Sequence, residues 1–286
     1  MKVKGKLVII GGAEDRVDEH EQEAEKNNKQ LNRFKILKEL LPADQMDKKI
    51  EVVTTASSEP DEMETMYQDT FNAIGYKNIG FLHIKDRFEA AQEANCARIK
   101  NAAVVFFTGG DQFRLTTILE GTPFFDIIKD KYQHDTCFTV AGTSAGAMAM
   151  SQIMICGGGT GQTKVDDDLQ TSTGLGLLQN CIIDTHFIER GRYSRLSHAV
   201  VTHPACLGIG LGEDTALIIH QGIDATCRGS GMVVIIDGKN IEQSTTSEAK
   251  KHVPLFVENL KVHLISDDCS INLLTRKLKA PYETVQ

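Results

Sequence analysis

Ser144 stands in Phe138-Thr-Val-Ala-Gly142-Thr143-Ser144-Ala145-Gly146-Ala-Met-Ala-Met150, where a strand-like run gives way to Gly-x-Ser-x-Gly and then to Ala and Met. Small residues two before and two after the Ser let the chain turn sharply, so that the hydroxyl is pushed out at the carboxyl edge of a sheet. The helix start that follows favours developing negative charge, and the Ala145 N–H is placed to bond an oxyanion. A Ser hydroxyl acts as a nucleophile only with a base, and the base needs a group to orient it. Of nine His, His186 closes the apolar run Cys181-Ile-Ile-Asp184-Thr185-His186, and His203 in Thr202-His203-Pro204 is the second candidate base. Glu213, in Gly210-Leu211-Gly212-Glu213-Asp214, is a carboxylate at a Gly-rich turn and the candidate third member. The order Ser144, His186, Glu213 is not the Ser, acid, His order of α/β-hydrolases, so a different fold must carry the elbow.

Arg190, Arg192 and Arg195 follow His186 within nine residues. Arg suits bidentate carboxylate recognition, so the triplet points to an acidic substrate. The sequence Gly157-Gly158-Gly159-Thr160-Gly161 and then Asp166-Asp167-Asp168 reads as a surface loop. Its acids lack other spaced oxygen ligands, so no metal is assigned.

The elements that must hold these residues alternate along the first half. Apolar strand-like runs over residues 6–10, 50–55, 79–84, 102–107 and 137–140 end in small residues, and helical segments are expected over 18–41, 63–74, 88–100 and 116–129. Continuous apolar runs separated by helices imply parallel strands buried on both faces. In the second half, residues 177–187, 209–220, 227–237 and 262–274 read as strands in hairpins that extend the same sheet. The segment 19–35 is strongly charged and reads as a solvated helix face. The fold expected is α/β, a largely parallel central sheet flanked by helices and extended by C-terminal hairpins, as one domain over 1–286.

Composition narrows the function. With 286 residues and a net charge of −8, the chain has no basic footprint for nucleic acid. No apolar run reaches the ~20 residues that span a bilayer. The N-terminal residues lead straight into a strand rather than a signal core, so the expected location is cytoplasmic. Seven Cys without a CxxC pair fit reduced thiols and give no zinc site. No G-x-G-x-x-G follows the first strand, which argues against a dinucleotide enzyme.

Five segments, in this order, resemble the cyanophycinase family. They are Ile9-Ile10-Gly11-Gly12-Ala13-Glu14-Asp15-Arg16, Phe106-Phe107-Thr108-Gly109-Gly110-Asp111-Gln112-Phe113-Arg114-Leu115, the elbow, Asp184-Thr185-His186-Phe187 with its arginines, and Gly208-Ile209-Gly210-Leu211-Gly212-Glu213-Asp214-Thr215-Ala216. That family belongs to a clan of serine hydrolases with a class I glutamine amidotransferase-like fold, which also holds the aspartyl dipeptidases. The resemblance implies Ser144 as nucleophile, His186 as base and Glu213 as its orienting group. It implies an oxyanion hole from Gly110 or Asp111 together with Ala145. It also implies a substrate pocket from Gln112, Asp184, Arg190, Arg192 and Arg195. The implied substrate is cyanophycin, a poly-aspartate with Arg on its β-carboxyls, released as β-Asp-Arg by a homodimer without a cofactor. Thr185 stands where the family commonly has Gln, so a substrate contact beside the base is altered. The alternatives are an aspartyl or isoaspartyl dipeptidase and a non-catalytic carboxylate-binding protein.

Overall fold

Five apolar runs of the first half pair side by side because a returning connection brings each strand back to the same edge. The computed structural model describes residues 3–14, 34–158, 164–165, 169–245 and 253–281. In chain order these form β1 (Lys6–Ile10), β2 (Ile50–Val53), α1 (Pro60–Ile74), β3 (Ile79–Leu82), α2 (Arg87–Ala91), α3 (Glu93–Asn101), β4 (Val104–Phe107), α4 (Gln112–Leu119), α5 (Pro123–His134), β5 (Thr139–Thr143) and α6 (Ala145–Met148). There follow β6 (Ile153–Gly157), β7 (Lys164–Val165), β8 (Gln170–Thr173), β9 (Cys181–Asp184), α7 (Tyr193–Thr202), β10 (Leu207–Leu211), β11 (Thr215–His220), β12 (Asp224–Gly229) and β13 (Val233–Asp237). The last strands are β14 (Gln243–Ser244), β15 (Val253–Pro254), β16 (Val257–Glu258), β17 (Lys261–Ile265), β18 (Ser270–Asn272) and β19 (Lys277–Lys279).

The main sheet runs β19-β18-β12-β11-β1-β5-β4-β2-β3. From β1 through β3 every pairing is parallel, and from β1 through β19 every pairing is antiparallel. The strands alternate faces as their period of two requires. Leu7 and Ile9 pack into one buried cluster with Val105, Phe107 and Val140, while Val8 and Ile10 enter another with Val104 and Phe106. Tyr67 and Phe71 of α1 close the second cluster against Phe106, with ring centroids 5.0 and 5.7 Å away. Such contacts add about 0.5–1.5 kcal/mol per pair beyond burial. Among the described residues no helix is long and apolar enough to cross a membrane.

The α/β class, the parallel strands and the hairpin extension are as expected from the sequence, but three features differ. First, the hairpins do not all join one sheet. β10, β13 and β17 form a second sheet with β9, in the order β17-β13-β10-β9. Residues 209–220, read as one strand, are β10 in the second sheet and β11 in the first, and the chain crosses between them at Gly212–Asp214. Residues 227–237 and 262–274 cross back in the same way. Second, two expected helices are broken. Gln92, extended at ψ 133°, separates α2 from α3. Gly121 at φ 68° and Thr122, whose hydroxyl caps Phe125 N–H ahead of Pro123, separate α4 from α5. Third, α1 starts at Pro60 rather than residue 63, because Pro is pre-set for the first helical turn.

Most of the segment 18–41 and of the charged stretch 19–35 lies outside the described residues. So do Asp15, Arg16, Gly159–Gly161 and Asp166–Asp168. From residue 34 the chain forms turns and a short 3-10 turn at Leu37–Glu39.

Candidate active site

The parallel strands end together, and the end of β1 ties three loops to one point. Ile10 O accepts from Ser144 N–H at 3.0 Å, Gly11 O from His186 N–H at 2.9 Å, and Gly12 O from Asp214 N–H at 3.0 Å. Three successive carbonyls thus hold the turns after β5, β9 and β10. Ser144 itself sits at φ 50° and ψ −115°, and His186 at φ 47°. A non-glycine residue there is strained by about 1–3 kcal/mol, and surrounding structure must hold it. At the elbow the glycines make this possible. A side chain at Gly142 would meet Met150 and the Gly146 backbone, and one at Gly146 would meet the Phe107 carbonyl.

The three side chains meet in line. Ser144 Oγ lies 3.0 Å from His186 Nε2, and His186 Nδ1 lies 2.6 Å from Glu213 Oε1. The tautomer that satisfies both contacts carries its proton on Nδ1, donates it to Glu213 and accepts the Ser144 hydroxyl proton at Nε2. The imidazole also has a fixed seat, because a Cβ on Gly12, which stands at φ 102°, would overlap its ring. On its other side Phe187 is buried against Gly210, where any side chain would run into the Phe187 ring. Behind the nucleophile, the buried Glu14 carboxylate accepts from Thr143 Oγ1 at 2.6 Å and from Tyr67 Oη at 2.5 Å.

A cleft of about 340 Å³ opens in front of Ser144. The turn after β1 supplies Gly12 and Ala13, and the loop after β2 supplies Ser57, Ser58 and Glu59. Glu62, Met63 and Tyr67 of α1 form a further wall, and Gly109 and Gly110 line it beside Ser144 and His186. This arrangement can carry out nucleophilic acyl transfer at one hydroxyl.

The model of the Peptidase family S51 matches residues 21–225 of the chain. The chain belongs to peptidase family S51. Cyanophycinase of Thermosynechococcus vestitus is 34% identical over 278 residues, 96% of this chain and 81% of that one. Cyanophycinase of Trichormus variabilis is 34% identical over 264 residues, 92% of this chain and 84% of that one. Among solved structures, a peptidase from an acI-B1 Actinobacterium superimposes with a TM-score of 0.65 at 22% identity, covering 95% of this chain and 98% of that one. A putative peptidase E from Listeria monocytogenes gives 0.52 at 16% identity, over 80% of this chain and all of the other. The last two share the fold.

In this S51 peptidase the expected substrate residues do not meet at the cleft. Asp184 is wholly buried and its carboxylate is fully engaged. It accepts from Arg192 Nη1 at 3.0 Å, Arg195 Nε at 2.8 Å, Arg195 Nη2, and Thr185 N–H at 2.9 Å. Asp184 is therefore not a substrate contact, and Arg192 and Arg195 are counter-ions inside the fold. Burial lowers the Arg192 guanidinium from its ordinary value, and the Asp184 carboxylate opposes that shift. Thr185 is likewise fully buried, with a hydroxyl that meets no partner among the described residues, so it does not face substrate either. Arg190 is exposed and has no ion pair among the described residues.

Gln112 donates from Nε2 to Ile155 O at 2.8 Å and braces β6. Asp111 is excluded from the oxyanion hole because its N–H is spent on Ala56 O at 2.9 Å, while its carboxylate caps Phe113 and Arg114 N–H. The N–H groups of Gly110 and Ala145 meet no acceptor among the described residues. His203 closes α7, with Nδ1 3.1 Å from Ala199 O, so the alternative base is a helix cap. Among the described residues no group of three or more His, Cys, Asp or Glu is placed to hold a metal ion.

Gly12 and Glu14 stand in the first family segment without an expected role, and Glu59 and Glu62 of the cleft wall were not expected at all. The doubled glycine after β1 was the available signal for the first, because a glycine at a strand end often marks close approach.

Proposed function

We propose that the protein is a serine peptidase that cleaves the poly-aspartate backbone of cyanophycin and releases β-Asp-Arg. The observation that carries this reading is the line Ser144 Oγ, His186, Glu213 at the floor of a cleft, in a chain about a third identical to cyanophycinases. Ser144 Oγ attacks the scissile carbonyl while His186 Nε2 takes its proton, and the charge that forms on the carbonyl oxygen is met by the N–H groups of Gly110 and Ala145. His186 then gives the proton to the leaving amine, and water, deprotonated by the same nitrogen, releases the acyl group from Ser144. Glu213 holds the neutral tautomer and stabilises the imidazolium that forms in each step. Arg190, the arginine that Asp184 leaves unpaired, is the remaining guanidinium for a substrate carboxylate. We assign the activity to a single hydrolase domain, acting as a cytoplasmic homodimer.

The test is a suspension of cyanophycin treated with the parent protein and with Ser144→Ala. Clearing with soluble β-Asp-Arg from the parent alone is the expected result. No clearing by a parent whose Ser144 reacts with a fluorophosphonate refutes the polymer substrate. It directs the search to aspartyl and isoaspartyl dipeptides.

A further inference from the structure

Behind Ser144 the fold encloses a carboxylate that acyl transfer does not use. Glu14 is buried, four residues beyond the end of β1. Its Oε2 accepts from Thr143 Oγ1 at 2.6 Å, and its Oε1 accepts from Tyr67 Oη at 2.5 Å. A carboxylate is costly to bury unless donors meet it, so both hydroxyls are held to it firmly. Thr143 immediately precedes Ser144, whereas Tyr67 belongs to the α1 wall of the cleft.

The Thr143 bond falls where the sheet stops supporting the chain. β5 pairs with β4 as far as Gly142 and with β1 as far as Thr143. One residue on, Ser144 N–H reaches Ile10 O as the backbone turns to φ 50°. A backbone in that region persists only where its surroundings over-determine it. The Thr143 hydroxyl on Glu14 adds a side-chain tie at the last residue of the ladder.

The tie is anchored on the turn that seats the base. Gly11, Gly12 and Ala13 link β1 to Glu14, the last two at φ 102° and 45°. Gly11 O accepts from His186 N–H, and Gly12 leaves the room that the imidazole fills. A shift of the elbow away from Glu14 is therefore a shift of Ser144 Oγ away from His186 Nε2, 3.0 Å distant. Packing of α1 does not account for this second bond. Oε1 meets the Tyr67 hydroxyl that closes the α1 cluster, whereas Oε2 is directed at the elbow.

We propose that Glu14 is a positioning residue, whose carboxylate acts through Thr143 to hold the nucleophile turn in register with the seat of His186. This role rests on Ser144 and His186 acting as in the reading above, but not on the identity of the substrate.

The test follows labelling of Ser144 by an uncharged fluorophosphonate over a range of probe concentrations, which separates the maximal rate from the half-saturating concentration. Thr143→Val removes the hydroxyl, Thr143→Ser keeps it, and Glu14→Ala removes the carboxylate. Tyr76→Phe is the control for lost stability, because it deletes a buried tyrosyl bond, to Leu37 O at 2.7 Å, in the cluster that holds Tyr67. Misplacement by about an ångström costs about 10²-fold, so Thr143→Val and Glu14→Ala should each lose at least about tenfold in maximal rate at an unchanged half-saturating concentration. Thr143→Ser is expected to recover the parent rate to within about threefold, and Tyr76→Phe to stay within about twofold although its melting temperature falls. Added to Thr143→Val, Glu14→Ala should cost no more than about a further twofold, since the two residues form one tie. Where Glu14→Ala does not fold, the contrast of Thr143→Val with Thr143→Ser decides alone. Equal losses in Thr143→Ser or Tyr76→Phe overturn the role, and so do a loss confined to the half-saturating concentration and losses that multiply in the double variant. A parent that is not labelled at Ser144 overturns the nucleophile and this role together. A labelled parent matched by Thr143→Val refutes the role and leaves the nucleophile standing.

Discussion

Replacing Gly12 by Ala adds one carbon and two hydrogens, and it is expected to disable the site. The new Cβ would overlap the His186 imidazole, reaching Cε1 and lying 2.5 Å from Nε2. The ring must move by the better part of an ångström or rotate away, because the backbone at Gly12 is fixed by the bond from Asp214 N–H to its carbonyl. A misplacement of that size costs about 10²-fold, and full loss of a general base costs about 10²–10⁴-fold in kcat. A separate cost comes from placing Ala at φ 102°, about 1–3 kcal/mol. At about 2–4 °C per kcal/mol for a chain of this size, melting falls by about 2–12 °C.

Gly75→Ala separates the two effects. Gly75 has almost the same φ, 103°, but a Cβ there meets only Met46 Cε at 3.7 Å. Gly75→Ala should therefore lose stability and keep its turnover, whereas Gly12→Ala should lose both. The assay is kcat on cyanophycin and the rate of labelling by an uncharged fluorophosphonate, each measured well below the melting midpoint. Gly12→Ala turnover within about threefold of the parent would refute the claim that Gly12 seats the imidazole.

Asp184→Asn should destabilise the fold by about 3–5 kcal/mol in urea, because it leaves the enclosed guanidinium groups of Arg192 and Arg195 without their anion; a raised KM at unchanged stability would instead return Asp184 to the substrate. Glu213→Gln should lower kcat by less than Ser144→Ala does, since it perturbs the base rather than removing the attacking atom, and parent-like kcat would remove Glu213 from the relay. Burial pushes the thiols of Cys181 and Cys227 up to about 12 from an ordinary 9.0. In the native protein at pH 8 a thiol reagent should therefore modify the exposed Cys137 first and reach these two only on unfolding. Because both give up their protons more readily when unfolded, they favour the fold fully below pH 9 and lose that contribution as pH rises from 9 towards 12. Denaturant midpoints that hold constant over that range would contradict the shift.

The elbow was legible because its chemistry is local: a β-branched run, Gly-x-Ser-x-Gly and a helix start occupy thirteen consecutive residues. His186 was legible at the end of an apolar run and Glu213 at a Gly-rich turn that leads into one. What the sequence hid depends on pairing across the fold. Residues 209–220 read as one strand although a Gly-rich turn carries Glu213 within it, and only the second sheet shows that Glu213 lies where the chain changes sheets. The breaks at Gln92 and Gly121 were weak against the helical pattern on either side. Arg192 and Arg195 look the same in sequence whether they face a substrate or an acid eight and eleven residues earlier. Enclosure of Asp184 decides between the two, and enclosure is a property of packing. Glu62 of α1 was unreadable for the opposite reason, since first-turn Glu is ordinary and only the cleft distinguishes it from Asp61.

The central claim is that Ser144 is the nucleophile and His186 its base. The most direct measurement is treatment of the parent, Ser144→Ala and His186→Ala with an uncharged fluorophosphonate, followed by digestion and mass mapping of the modified peptide. The account predicts one adduct, on the peptide that carries Ser144, formed rapidly in the parent, absent in Ser144→Ala and slowed at least a hundredfold in His186→Ala. An adduct on another residue, or one on Ser144 that forms as fast without His186, would contradict it.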